Sequence, residues 1–429
     1  MHNLALALHS QGHRVSGSDD EIFEPSLSRL KNVGLHPKIL GWHPENIGRE
    51  LDLIILGMHA RKDNPELQKA EELGIRIYSF PEYVYEQSLE KTRVVIAGSH
   101  GKTTTTAMVM HALRYHHYKF DYLVGSQLEG FEMMVSLTDA PLIIIEGDEY
   151  LTSPVDLKPK FHWYRPHIAL ITGIAWDHIN VFPTFENYLE QFEIFINQLN
   201  PADRLFYFDE DAELQKLVEN AKCQITPYGT PDYETKGGVT NWVESGKKYP
   251  LHVFGRHNLQ NMNGARKICE QLGMDSASFL ESMQTFMGTA RRLEPIQTST
   301  FYAAFRDFAH APSKAEATVK AVKEQFPDKK VVAVFELHTY SSLRKDFLSH
   351  YQGSLDLADV AAVYCNPHVF ELKKMPIVSP VEIQQGFSRM VEVFSDREQL
   401  QDFIQNEIGD DRVLLLMSSG NFDGMPLIF

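Results

Sequence analysis

Cysteine is scarce in this sequence. Cys223, Cys269 and Cys365 are the only three in 429 residues. Widely spaced and odd in number, they build neither a disulfide framework nor a cysteine-rich zinc site, and a reducing compartment is expected. Positive charge is also short. With 41 Lys and Arg against 57 Asp and Glu, the formal net charge is -16, which argues against the basic surface that duplex nucleic-acid binders use to displace phosphate counterions. An anionic small ligand would need a locally basic site. No apolar run reaches membrane-spanning length, and the stretch from Met1 to Val15 lacks the cationic start and long apolar core of a secretory signal. The expectation is a cytoplasmic protein with neither nucleic acid nor membrane as partner, its oligomeric state open and a monomer allowed. Internal repeats and low-complexity tracts are missing too.

What is present is an α/β pattern. At 43% hydrophobic content, a chain of this length exceeds one ordinary core and divides into two or three domains, with three as the working number. Short runs of Val, Ile and Leu, bounded by Gly, Asp or Pro, alternate with stretches of helical spacing, as in parallel sheets covered on both faces. The clearest strand candidates run Leu51 to Gly57, Thr92 to Gly98, Pro141 to Gly147, His167 to Gly173, Lys330 to Glu336 and Arg412 to Ser418. Helical candidates run Thr103 to His117, Phe185 to Leu199, Leu259 to Leu272 and Ser313 to Gln325. From Thr226 to Pro250 the rhythm breaks with Pro, Gly, Thr and Tyr, and hairpins are expected. Boundaries are expected near Glu86 to Lys91 and near Arg292 to Thr298.

One segment carries strong chemistry. Ala97-Gly98-Ser99-His100-Gly101-Lys102-Thr103-Thr104 follows an apolar strand and opens an apolar-periodic helix, so backbone N–H groups and a helix N-terminus converge where a phosphate would sit. Lys102 would reach phosphate oxygens, and the Thr103 hydroxyl would join a magnesium shell. The general pattern wants glycine at position 96, where this chain has Ile96. An ordinary glycine-rich turn with an incidental lysine is the plain alternative, and the joint occurrence of strand, loop and helix disfavours it. The loop does not by itself separate a ligase from a kinase or a GTP switch, although the Asn-Lys-x-Asp guanine reader is absent.

Glu146-Gly147-Asp148-Glu149 and Trp176-Asp177-His178 each follow a strand candidate, at the carboxyl edge where open α/β sheets bind ligands. Glu146 is placed to reach magnesium and His178 a metal or phosphate, unless both are ordinary solvated loop ends. Further on, Asn258 and Asn261 share a helix face after Gly255-Arg256-His257, which suits an adenine edge or ribose; N-capping by Asn258 is the alternative. Arg292 lies at a suspected domain junction. Asp307, ahead of a proline-led helix, accepts a ribose hydrogen bond or caps the turn.

Together the motifs Gly-Ser-His-Gly-Lys-Thr-Thr, Glu-Gly-Asp-Glu, Asp-His, Gly-x-His-Asn-x-x-Asn, Arg-Arg-Leu and Asp-Phe-Ala-His, in this order from Val94 onward, resemble the Mur ligases of bacterial cell-wall synthesis. The resemblance implies a Rossmann-like UDP-sugar-binding domain, a central P-loop ATPase domain with a parallel sheet and a Rossmann-like C-terminal domain, here 1–88, 89–294 and 295–429. It also implies ATP and Mg2+ as cofactors, and transfer of the γ-phosphoryl to a sugar-linked carboxylate followed by attack of an amine. By matching motif, Gly98, Ser99, His100, Gly101, Lys102, Thr103, Thr104, His257, Asn258, Asn261, Arg292 and Asp307 bind nucleotide. Thr103, Glu146 and His178 hold metal, with Lys102, Glu146 and His178 catalytic. Ser18, Asp19 and His59 are the implied UDP-sugar contacts. Members of this branch carry a strand and glycine-rich loop ahead of the segment matching Met1-His2-Asn3-Leu4-Ala5, so either the true start lies upstream or part of the UDP site is missing. Several members hold a second magnesium with a carbamylated lysine. No lysine occurs between Lys160 and Lys216, so an acidic residue such as Glu193 is the expected substitute.

Two activities of this branch compete, both on UDP-N-acetylmuramate: addition of L-alanine, and addition of the tripeptide L-alanyl-γ-D-glutamyl-meso-diaminopimelate in cell-wall peptide recycling. Glu149-Tyr150 followed by Lys160 to Tyr164, Asp307 to His310 and Met417 to Phe422 resemble the tripeptide-adding pattern. His338, Thr339 and Arg344, the expected amine-substrate residues, partly resemble the His-Arg-Tyr pattern of L-alanine addition, with Thr339 replacing its arginine. The tripeptide is therefore the expected amine, with L-alanine the alternative. A regulatory ATP-binding protein without ligase activity is the reading from another class.

Overall fold

Each apolar run named above forms a strand in the computed structural model, which describes residues 1–128, 130–176, 181–298 and 302–427. The chain divides into two compact units, Met1–Tyr228 and Gly229–Phe429. In the first, β1 (Leu53–Leu56) and β2 (Arg76–Ser79) pair in parallel across the helix Pro65–Leu73. Asn64 caps that helix by accepting from the N–H groups of Glu66 and Leu67, with proline at its first position and left-handed Gly74 behind it.

The larger sheet of this unit contains β3 (Thr92–Ala97), β4 (Asp121–Leu123), β5 (Val135–Ser136), β6 (Leu142–Glu146), β7 (Ile168–Ile171), β8 (Arg204–Phe208) and β9 (Gln224–Tyr228). Their order is β5-β4-β6-β3-β7-β8-β9, parallel throughout except for β4 with β5. Beyond β3 the chain builds one side of the sheet and then crosses to the other, so the carboxyl ends of β3, β6 and β7 frame the switch point where such sheets bind ligands. Val94, Val95, Ile96 and Ala97 are wholly buried, as a strand covered on both faces requires.

In the second unit, β10 (Tyr233–Lys236), β11 (Val239–Glu244) and β12 (Lys247–Leu251) form an antiparallel meander. Hairpins thus occupy the stretch where the rhythm breaks, although Thr226 to Tyr228 belong to parallel β9. A six-stranded sheet follows, built from β13 (Glu294–Thr298), β14 (Ala303–Asp307), β15 (Lys330–Glu336), β16 (Val360–Tyr364), β17 (Glu392–Phe394) and β18 (Arg412–Met417) in the order β13-β14-β18-β15-β16-β17. Only β13 runs antiparallel to its neighbour. Alternate residues feed two cores: Ala333, Phe335, Val363 and Leu415 on one face, Val332, Val334, Ala362 and Leu414 on the other. Among the described residues no helix is long and apolar enough to cross a membrane.

Candidate active site

The phosphate loop starts where β3 ends. Gly98 holds φ at +125°, and a Cβ there would stand 2.1 Å from Thr172 Oγ1 and 2.8 Å from its backbone nitrogen, so no side chain fits. Gly101 is left-handed at φ +81° and serves as the N-cap of the helix Lys102–Tyr115. The loop is clamped from both neighbouring strands: Ser99 N–H donates to Gly173 O at 3.0 Å, and Gly147 N–H donates to Ile96 O at 2.8 Å. Ile96, where the general motif wants glycine, is a buried strand residue whose carbonyl takes that bond.

Lys102 is the first residue of the helix and is only 13% exposed, rather than lying free on a loop. Its Nζ donates to Gly98 O at 2.6 Å and pairs with Glu149 Oε2 at 2.7 Å. Burial works to deprotonate it, but the carboxylates of Glu149, Asp148 and Glu146 outweigh that and hold the ammonium above its ordinary range. Burial likewise pushes Asp148 up, and the nearby Lys160, 2.6 Å away, with Lys102 pulls it below the usual carboxylate range. Thr103 Oγ1 donates to Glu146 Oε1 at 2.7 Å, while Glu146 Oε2 accepts from Gly125 N–H at 2.9 Å. A hydroxyl and a carboxylate meeting beside a phosphate loop are hard oxygen donors of the kind magnesium takes, with phosphate and water completing the shell. Among the described residues no group of three or more His, Cys, Asp or Glu forms a ready metal cage. His100 lies within the loop and Thr104 is buried. Asp177 and His178 lie outside the described residues. Glu193, the expected substitute ligand for a second magnesium, lies on the exposed face of the helix Phe185–Asn197, and Glu149 meets Lys102.

Tertiary contacts also bring in residues that the sequence reading left without a role. The Tyr188 hydroxyl meets Ser99 Oγ at 2.8 Å and donates to Glu149 Oε1 at 3.3 Å, and Thr172 Oγ1 donates to His100 O. In the sequence Tyr188 is one more apolar-face residue of an amphipathic helix, and nothing there distinguishes it.

In the second unit, Gly255 rather than Asn258 occupies the N-cap of the helix Arg256–Gln271. Asn258 is buried and donates its amide back to Phe254 O at 2.9 Å, and Asn261, one turn on, is 9% exposed. His257, half-buried, is pulled down to about 4 by burial and by Arg292. Arg292 lies 5.0 Å over the Phe308 ring. Asp307 Oδ2 accepts from Leu293 N–H and Oδ1 from Ala309 N–H, each at 2.7 Å. The carboxylate thus fixes the turn containing Arg291 and Leu293, both at positive φ. Burial raises its pKa against the pull of Arg292 and these N–H groups.

Ser18 donates to Glu66 Oε1 at 2.7 Å, Asp19 is raised by burial and by its bond with Asp20, and His59 is exposed. His338 Nδ1 lies 3.7 Å from Glu336, and Thr339 Oγ1 accepts from Ser342 N–H at 3.1 Å. The Arg344 fork is already paired on both arms with Asp346, and Lys345 with Glu382 at 2.6 Å.

A glycine-shaped loop at the switch point of a parallel sheet, a lysine poised at a helix start, and a threonine and glutamate side by side define a P-loop enzyme that draws on a nucleoside triphosphate. Comparison with known proteins narrows the class. The Mur ligase family, catalytic domain matches residues 1–91, the Mur ligase middle domain 96–269 and the Mur ligase, glutamate ligase domain 291–420. The UDP-N-acetylmuramate–L-alanine ligase of Ligilactobacillus salivarius is 31% identical over 372 residues, 84% of this chain and 79% of its own length. Among solved structures, the UDP-N-acetylmuramate–alanine ligase of Thermotoga maritima superposes with a TM-score of 0.71 at 22% identity, covering 99% of this chain and 94% of that one. A murein peptide ligase of Psychrobacter arcticus gives 0.64 at 21%, with the same coverage. At such identities these two likenesses speak for the fold. The chain belongs to the Mur ligase family and is an ATP-dependent ligase.

Proposed function

We propose that the chain joins L-alanine to the carboxylate of UDP-N-acetylmuramate in the cytoplasm, with magnesium held by Thr103 and Glu146. The amine differs from the tripeptide expected from the sequence. What carries the change is sequence kinship, at 31% identity, with a ligase named for L-alanine. Arg344 and Lys345, the cations nearest in sequence that a tripeptide's outlying charges would need, each sit in a surface ion pair, with Asp346 and Glu382. An amino acid brings its carboxylate close to the reacting amine and needs a nearer cation. Lys373 is the candidate, its ammonium donating to His338 O and resting 4.7 Å from the centre of the Tyr340 ring.

When bound, ATP supplies the phosphoryl group that activates the carboxylate, and magnesium offsets the charge of the phosphates. Thr103 and Glu146 would hold that ion. Lys102 would donate to phosphate oxygens in exchange for its pairing with Glu149, at a helix start whose N–H groups favour an anion. His257, Asn258, Asn261, Arg292 and Asp307 are assigned to the nucleotide in the same proposal, and Ser18, Asp19 and His59 to the UDP-sugar. No lysine between Lys160 and Lys216 is available for carbamylation.

One observation favours the tripeptide: Thr339 stands where L-alanine addition has an arginine, leaving room for a longer chain. Purified protein with ATP, magnesium and UDP-N-acetylmuramate, titrated separately with the two amines, decides between them. L-alanine is expected to give the higher kcat/KM, and a higher value for the tripeptide overturns the assignment.

A further inference from the structure

We infer that Tyr188 is a positioning residue for the phosphate loop, setting where Lys102 rests through Ser99 and Glu149. The observation is a directed chain of hydrogen bonds joining four separate segments of the first unit. Ala175 N–H donates to Ser99 Oγ at 2.8 Å, and the Tyr188 hydroxyl donates to Glu149 Oε1 at 3.3 Å. The 2.8 Å contact between Ser99 Oγ and Tyr188 Oη therefore has the serine as donor. Glu149 then meets Lys102 through its other oxygen at 2.7 Å. The serine hydroxyl thus accepts from Ala175 and donates to the tyrosine, whose own hydroxyl donates to Glu149, so the links polarise one another in the same sense.

Burial gives the chain its leverage. Tyr188 and Glu149 are wholly buried and Ser99 is 4% exposed, so water does not substitute freely for a lost link. The tyrosine ring is held independently of its hydroxyl, packing at 5.3 Å against Phe182 and at 5.2 Å against Phe192. The apolar body thus serves the core while the phenolic oxygen addresses the loop. Ser99 is also the residue whose N–H is tied to Gly173 O, so its side chain and backbone anchor the loop in two directions. A shift of Glu149 moves the resting place of the lysine that must reach phosphate.

This inference rests on the proposed phosphate role of the loop and is independent of the amine. Binding of ADP with magnesium, measured calorimetrically without amine or sugar nucleotide, tests it on full-length Tyr188→Phe, Ser99→Ala, the double variant and Phe192→Leu. Tyr188→Phe is expected to weaken ADP binding about tenfold, about 1.4 kcal/mol. The double variant is expected to lose much less than the sum of the two single losses. Phe192→Leu disturbs the same aromatic core and is expected to lower the melting temperature while leaving ADP affinity unchanged. Wild-type affinity in Tyr188→Phe, additive losses, or an equal loss in Phe192→Leu would each overturn the inference.

Discussion

At the scale of single residues, the proposed role of Lys102 conflicts with its resting one. To meet phosphate its ammonium must be free, yet it is the partner that makes the buried carboxylate of Glu149 tolerable. Removing it therefore affects both catalysis and folding. Lys102→Ala is expected to lose on the order of 100-fold or more in turnover and roughly 3 kcal/mol of stability, because an uncompensated charge remains inside. Adding Glu149→Gln is expected to restore most of the stability and none of the turnover. ADP release and urea unfolding on the single and double variants separate the two effects, and recovery of turnover in the double variant would refute the phosphate role. Asp307 shows a similar division, since the oxygens proposed to meet a nucleotide already tie down the turn that carries Arg292.

At the scale of elements, the phosphate loop is a joint product of β3, β6 and β7. The strand supplies the exit, Thr172 and Gly173 supply the wall, and Gly147 locks the far side. Gly98→Ala tests this arrangement directly. With φ at +125° and a new Cβ 2.1 Å from Thr172 Oγ1, the loop must move, at a strain of about 1–3 kcal/mol. ADP affinity is expected to fall roughly 10- to 100-fold by the same energy, together with the melting temperature. Calorimetric titration and thermal unfolding check the two. Unchanged affinity would show that the observed loop geometry is not the binding one. Here Gly-x-x-Gly-Lys-Thr, a local motif, announced the loop correctly. Its wall was hidden because Thr172 lies about 70 residues downstream and reads, in sequence, as one more strand end.

At the scale of the whole molecule, acid should loosen the second unit. Burial, with Arg292 nearby, pulls His257 down to about 4, whereas the unfolded chain protonates it near its ordinary 6.5. The stability it contributes is full above about pH 6.5 and is lost as pH falls toward 4. For this half-buried ring the loss at pH 5 is on the order of 1–2 kcal/mol. Urea unfolding at pH 7 and pH 5 is expected to show a smaller difference for His257→Asn than for wild type, and an equal difference would remove His257 as the cause. The sequence by itself determined the α/β class, the six clearest strands and the phosphate loop, because burial on both faces of a sheet demands apolar runs and phosphate binding demands glycines and a lysine at fixed spacing. Only the tertiary structure decided the partners of those residues. It set Glu149 against Lys102, gave the helix cap to Gly255 rather than Asn258, and paired Arg344 with Asp346. Those outcomes depend on distances between residues far apart in the chain or on side chains competing for one position, and neither is written in local periodicity.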